Sequence, residues 1–351
     1  MMCEVYNMKK PTMQDIAEAA GVSRVTVWKV LNNHPGVSEV KSNLIIKEAA
    51  LLGYPLPEQF TNNTVHANPA LMTNTSHESA TISVVVSRPD SSVFWSNIIH
   101  EIAKEVTQAG CSLMYTYVPT EIPKDYILPP PLTSGQVQGI IILNVYDAKL
   151  LSILNRLPIP KVFLDAVTNF SLDTLTGDML LLEGKSSVEK ITDYLFASGR
   201  QKIGFIGDIN YALTNKLRYE GYTASITRHA SHIDPAYCKT GTIGIETYVE
   251  EIHNYLSGLR KLPDAFVCVS DFVAHVVYQE LMLMGIRVPE EVNLTGYDNI
   301  ADYIDMKDFL TTVNINTSAL GKRLIRQLFY RIENPDTPIE VIYLYSEILY
   351  H

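Results

Sequence analysis

The sequence predicts an all-α helix-turn-helix head joined to an α/β region of two doubly wound lobes. Three observations predict it. Up to residue 58, apolar residues recur at helical spacing between tight turns. From Ala80 onward, apolar β-type runs alternate with amphipathic helical stretches, which implies parallel sheets with helices on both faces. Between them lies a segment rich in Asn, Thr and Pro, which reads as a linker. The expected domains are 1–58, a linker over 59–79, and 80–351, the last long for one open sheet and so divided into two lobes.

In chain order, Thr12-Met-Gln-Asp15 fits a capping box, with Asp in place of the usual Glu. Met13, Ile16, Ala17 and Ala20 then recur at helical spacing, and Gly21 ends that helix because it can take the left-handed conformation. Val22 is an expected core anchor at the turn. Ser23 caps a second helix to Leu31, with Val27, Val30 and Leu31 inward and Arg24, Val25, Trp28 and Lys29 exposed. Ser38 caps a third, which ends at Gly53. Beyond the linker, strands are expected at Ile82–Val86, Leu113–Tyr117, Gly139–Leu143, Lys161–Leu164, Ile203–Gly207, Ala265–Val269 and Val292–Gly296. Helices are expected at Asn97–Gln108, Ser187–Ala197, Thr247–Leu259 and Phe272–Met284.

Composition narrows the function. Of 351 residues, 46% are hydrophobic and 19% charged, a globular balance. Runs such as Ile140–Leu143 are far too short to span a bilayer, and the N-terminus shows no basic stretch leading into an apolar one, so a cytoplasmic protein with no membrane partner is expected. Cys3, Cys111, Cys238 and Cys268 are scattered without a CxxC pair, which argues for buried free thiols rather than a zinc site. Net charge is −10, yet residues 1–55 carry six cations against five acids, a net +1. Gly204-Phe-Ile-Gly207 is only GxxG, and no GxSxG or P-loop occurs. His229 and His232 lack a third ligand nearby in sequence, and a solvated turn outweighs a metal pair. No catalytic residue, metal or cofactor is therefore expected.

The head's layout suits the major groove of DNA, which admits one α-helix and lets the residues at its N-terminal end reach base edges. Spacing alone fits any small three-helix unit equally well. Over about 45 residues, however, TMQDIAEAAGVS, the TV leading into VLN, PGVS and LGYP closely resemble the head of the lactose-repressor (LacI/GalR) family. The resemblance implies a transcription regulator bound to a palindromic double-stranded operator. Thr12, Ser23, Thr26, Asn32, Ser38 and Tyr54 match positions that touch phosphates, and Arg24, Val25 and Lys29 match positions that read bases. Trp28 and Lys29 depart from the usual Ser and Arg: Lys29 reaches guanine without a planar fork, and Trp28 either adds bulk at the groove or packs on its neighbour. The linker lacks a clean hinge helix; Asn68–Thr73 is the candidate, with Leu71 or Met72 as minor-groove wedge, and a disordered tether is the alternative.

The region from Ala80 resembles the family's effector domain, which is similar to periplasmic sugar-binding proteins. The segments carrying the resemblance are ASGRQKIGFIG, RYEGY, LPD, GIRVPE, GYDN and LTTV. It implies a carbohydrate-like effector between the lobes. Arg218 matches the arginine that holds the effector and Asp298 the facing acid, with Phe94, Asp165 and Asp271 as further candidates. Asp271 capping a helix is the competing reading. Doubling a single recognition helix on a palindrome requires a homodimer, and a chain ending just after its last strand adds no tetramerising helix. The alternative from another class is a cytoplasmic small-molecule sensor without operator binding.

Overall fold

The computed structural model describes residues 11–32, 34, 37–52, 54, 80–88, 92–229, 232–300 and 303–351, so Leu71 and Met72 lie outside the described residues. The chain divides into two compact units, Met1–Ser76 and His77–His351.

The first unit holds α1 (Met13–Ala19), α2 (Arg24–Leu31) and α3 (Glu39–Leu51). Thr12 caps α1 in a reciprocal box with Asp15: its Oγ1 accepts from Asp15 N–H at 3.4 Å, and its own backbone N–H donates to Asp15 Oδ2 at 2.6 Å. Gly21 follows with φ of 63°, which lets Val22 N–H reach back to Ala17 O at 2.9 Å and Gly21 N–H to Glu18 O at 3.3 Å. That pair of bonds is a Schellman stop, and it turns the chain at once into α2. Ile16, Ala17, Ala20, Val27, Val30, Leu31, Ile45 and Ala49 form the core, with Val22 and Tyr54 packed against it.

The second unit contains two parallel sheets. The first has six strands in the order β11-β5-β4-β3-β1-β2, with β1 (Thr81–Val86), β2 (Ser112–Tyr117), β3 (Gly139–Leu143), β4 (Lys161–Leu164), β5 (Asp178–Leu182) and β11 (Val341–Leu344). Alternate residues of these strands divide between two apolar clusters, Val84 and Ile141 on one face, Val85 and Ile142 on the other. Both faces are therefore covered, as parallel sheets demand. The second sheet runs β7-β6-β8-β9, with β6 (Ile203–Ile206), β7 (Cys238–Lys239), β8 (Ala265–Cys268) and β9 (Asn293–Thr295). A short antiparallel pair, β10 (Thr312–Val313) with β12 (Ile348–Leu349), stands beside it.

The helices are α4 (Val93–Gln108), α5 (Ala148–Asn155), α6 (Lys185–Ala197), α7 (Leu213–His229), α8 (Tyr248–Gly258), α9 (Asp271–Leu283) and α10 (Thr317–Glu333). The chain passes between the lobes after β5, after β10 and after β11, so each lobe is built from separate stretches of sequence. Of the described cysteines, Cys111 and Cys268 are buried and Cys238 is half-buried, none of them in a disulfide. Among the described residues no cluster of side chains could hold a metal ion; His229 instead stacks on Phe196 and bonds Asp193. No helix among the described residues is long and apolar enough to cross a membrane.

Candidate functional site

The carboxyl ends of the strands in both sheets converge on one cavity of about 230 Å³. This is the place where open α/β sheets gather ligand groups. Arg88 follows β1; Asn144 and Tyr146 follow β3; Asp165 follows β4; Asp208 follows β6; Ser270 follows β8; and Asp298 follows β9. Phe94, Asp165, Arg218 and Asp298, four of the five candidates named from sequence, line this cavity together.

Arg218 projects from α7 and is 5% exposed. Its guanidinium carbon sits 3.6 Å from the centre of the Tyr297 ring, and Nη1 donates to Val269 O. Nη2 lies 3.9 Å from Asp298 Oδ1, a long ion pair. Nε–H is buried with no acceptor among the described residues. Gly184 makes space for the side chain, since a Cβ there would stand 2.6 Å from Arg218 Cγ.

Asp298 adopts φ of 113°. Burial pushes its carboxyl up to about 7, against the pull of Arg218 and with added repulsion from Asp271. Asp165 is held differently. Its carboxylate accepts from Thr214 Oγ1 at 2.5 Å, Ala166 N–H at 2.8 Å and Tyr146 Oη at 3.3 Å. Thr214 lies in the first turn of α7, so this carboxylate joins the two lobes, and its acceptor sites are committed within the protein. Burial raises its pKa as well, against those hydrogen bonds.

The fifth candidate requires correction. Asp271 does not line the cavity: it is 1% exposed, and its oxygens accept from Thr312 Oγ1 at 2.7 Å and Ile300 N–H at 2.8 Å. The helix cap at this point is Ser270, whose Oγ accepts from Val273 N–H. Asp271 therefore ties α9 to the segments around β9 and β10, where a carboxylate removed from water needs donors.

The sequence reading missed most of the aromatic lining. Phe94 and Trp95 meet edge to face, Tyr146 and Tyr211 lie 4.4 Å apart, and Tyr248 meets Phe272 at 5.4 Å. Asn144 and Tyr146 were within reach of the rule that strand ends carry ligand groups. Tyr248 and Phe272, placed by helices, carry no such local signal.

In the head, Thr12, Ser23, Arg24, Val25, Trp28, Asn32 and Ser38 are exposed, while Thr26, Lys29 and Tyr54 are half-buried. Ser23 Oγ and Thr26 Oγ1 are 2.8 Å apart and cap α2. Helical geometry places Arg24, Val25, Trp28 and Lys29 within one strip about 140° wide, and the buried Val27, Val30 and Leu31 lie outside it.

Comparison with known proteins finds similarity over both units. Residues 12–55 match the model for bacterial regulatory proteins of the lacI family, and residues 192–349 match a periplasmic binding protein-like domain. The HTH-type transcriptional repressor PurR of Pasteurella multocida is 27% identical over 340 residues, covering 96% of this chain and 97% of its own. PurR of Haemophilus influenzae Rd is 27% identical, covering 94% and 93%. A CelR–cellobiose complex superposes with a TM-score of 0.67 at 20% identity, covering 97% and 98%. The lac repressor dimer bound to operator and the anti-inducer ONPF superposes at 0.63, also at 20% identity, with the same coverage.

Proposed function

We propose, from the match of residues 12–55 to the lacI family of bacterial regulatory proteins and of residues 192–349 to a periplasmic binding protein-like domain, that the chain is a homodimeric repressor whose hold on a palindromic operator is set by a small polar effector. The effector, a sugar or similar polyol, binds in the cavity between the two sheets without being turned over. The convergence of Arg218, Asp298 and Phe94, from three separated segments, on one cavity carries the reading. A cation and a carboxylate 3.9 Å apart offer a donor and an acceptor to neighbouring hydroxyls, and the aromatic rings offer apolar faces to the ring carbons. The volume suits a small ligand. In the head, Arg24, Val25 and Lys29 supply base contacts, and Thr12, Ser23, Thr26, Asn32, Ser38 and Tyr54 the phosphate contacts. This reading puts the protein in the cytoplasm, alongside the chromosome.

The effector is sought by thermal-shift screening of sugars and nucleobases, since a ligand of the folded state raises the melting temperature. The reading expects a hit that changes the affinity of the full-length protein for a site selected from random duplexes. A hit with no effect on that affinity contradicts it.

A further inference from the structure

We propose that Trp28 reads a base: its indole, backed by the His34 ring, packs on a thymine methyl in the major groove of each operator half-site. The inference rests on the reading that α2 lies in that groove, and it adds the feature recognised at one position. Successive helical residues turn by about 100°, which puts Trp28 about 40° from Arg24 and about 60° from Val25. It therefore stands within the exposed strip, not at its margin.

Trp28 is 46% exposed and takes no part in the core of the head. The ring is nonetheless held. It stacks on His34 with centroids 4.8 Å apart and planes 19° from parallel. His34 is itself fixed by its backbone N–H, which donates to Lys29 O at 2.8 Å. At the same end of the helix, Asn32 Nδ2 donates to Trp28 O at 2.9 Å. One indole face is thus covered by His34 while the side chain as a whole stays 46% exposed, and among the described residues no hydrogen bond of its N–H is recorded.

Apolar surface kept in water costs about 25 cal/mol per Å², and among the described residues of the head only the His34 ring is recorded packing on the indole. A partner with an apolar group recovers that cost. Holding the ring in place before binding also lessens the ordering cost at the interface. The major groove presents polar base edges and one apolar group, the C5-methyl of thymine. A phosphate takes the indole N–H, which is donor-only, but leaves the ring face in water. The methyl accounts for the face as well as the position.

The test uses the full-length protein on the site it selects from random duplexes. Each thymine of the enriched half-site is replaced in turn by deoxyuridine, which removes the methyl alone. The wild type is expected to lose about fourfold in affinity at one position per half-site, the worth of one buried carbon group. Trp28→Phe is expected to keep that sensitivity, His34→Ala to weaken it, and Trp28→Ala to abolish it, with melting temperatures close to wild type. If the wild type and Trp28→Ala respond alike at every position, the inference is overturned. Loss in Trp28→Ala that is uniform across all sequences also overturns it and assigns the ring to the phosphate strand. A pool that yields no enriched site overturns the reading of the head, and this inference with it.

Discussion

Asn144, Asp165 and Asp298 line the cavity with positive φ, and Asn299 follows directly; they are the non-glycine residues with that conformation among those described. Each such residue costs about 1–3 kcal/mol and persists only where its surroundings over-determine it. Here those residues stand at the ends of β3, β4 and β9, where the strands meet the cavity. Asp298 carries a further consequence. A carboxyl raised to about 7 in the folded protein holds its proton longer than it does in the unfolded chain, whose value is 3.8. Its cost is absent below the unfolded value and complete above the folded one. Stability is therefore expected to fall as pH rises from about 4 to about 7, and Asp298→Asn to flatten that slope, as read from melting temperatures across the range. An unchanged slope in the variant contradicts the assignment. Arg218 and Asp298 were legible in the sequence because the short segments around them, RYEGY and GYDN, match a known pattern. Asp271 was misplaced because its carboxylate's donors, Thr312 and Ile300, lie 41 and 29 residues away.

Local signals at helix ends and strand edges carried well to the elements. The capping box at Thr12, the stop at Gly21 and the strands Gly139–Leu143 and Lys161–Leu164 stand as their residues indicate. Thr12→Ala is expected to destabilise the head by about 1 kcal/mol, measured by chemical denaturation. Other elements were not singled out. β5 begins with Asp178, an unpromising strand residue that is 0% exposed because Arg331 of α10 pairs with it at 2.6 Å. Gln327 and the Glu340 backbone N–H also bond its oxygens. These partners are remote in sequence, so no local pattern reveals them. Removing one partner strands a buried charge, and Arg331→Met is expected to cost about 3–5 kcal/mol. A loss under 1 kcal/mol in denaturant titration contradicts that role. In the head, Arg24→Ala and Lys29→Ala are each expected to weaken specific operator binding by about 1–3 kcal/mol and to relax preference at one base pair. A loss equal for all sequences reassigns them to phosphates.

At the scale of the whole molecule, regulation requires that a ligand bind one lobe arrangement better than another. The joints that such a change must move include the Asp165–Thr214 bond and the Tyr146–Tyr211 pair, both of which cross between segments of the two lobes. The protein is expected to be a dimer in solution, and light scattering that shows a stable monomer at micromolar concentration counts against the account. The central claim is that Arg218 transmits effector occupancy to the head. It is tested by operator affinity for wild type and Arg218→Ala, with and without the effector from the screen, alongside melting temperatures. The account predicts a folded variant with wild-type operator affinity and no response to effector. A folded variant that still switches normally contradicts it.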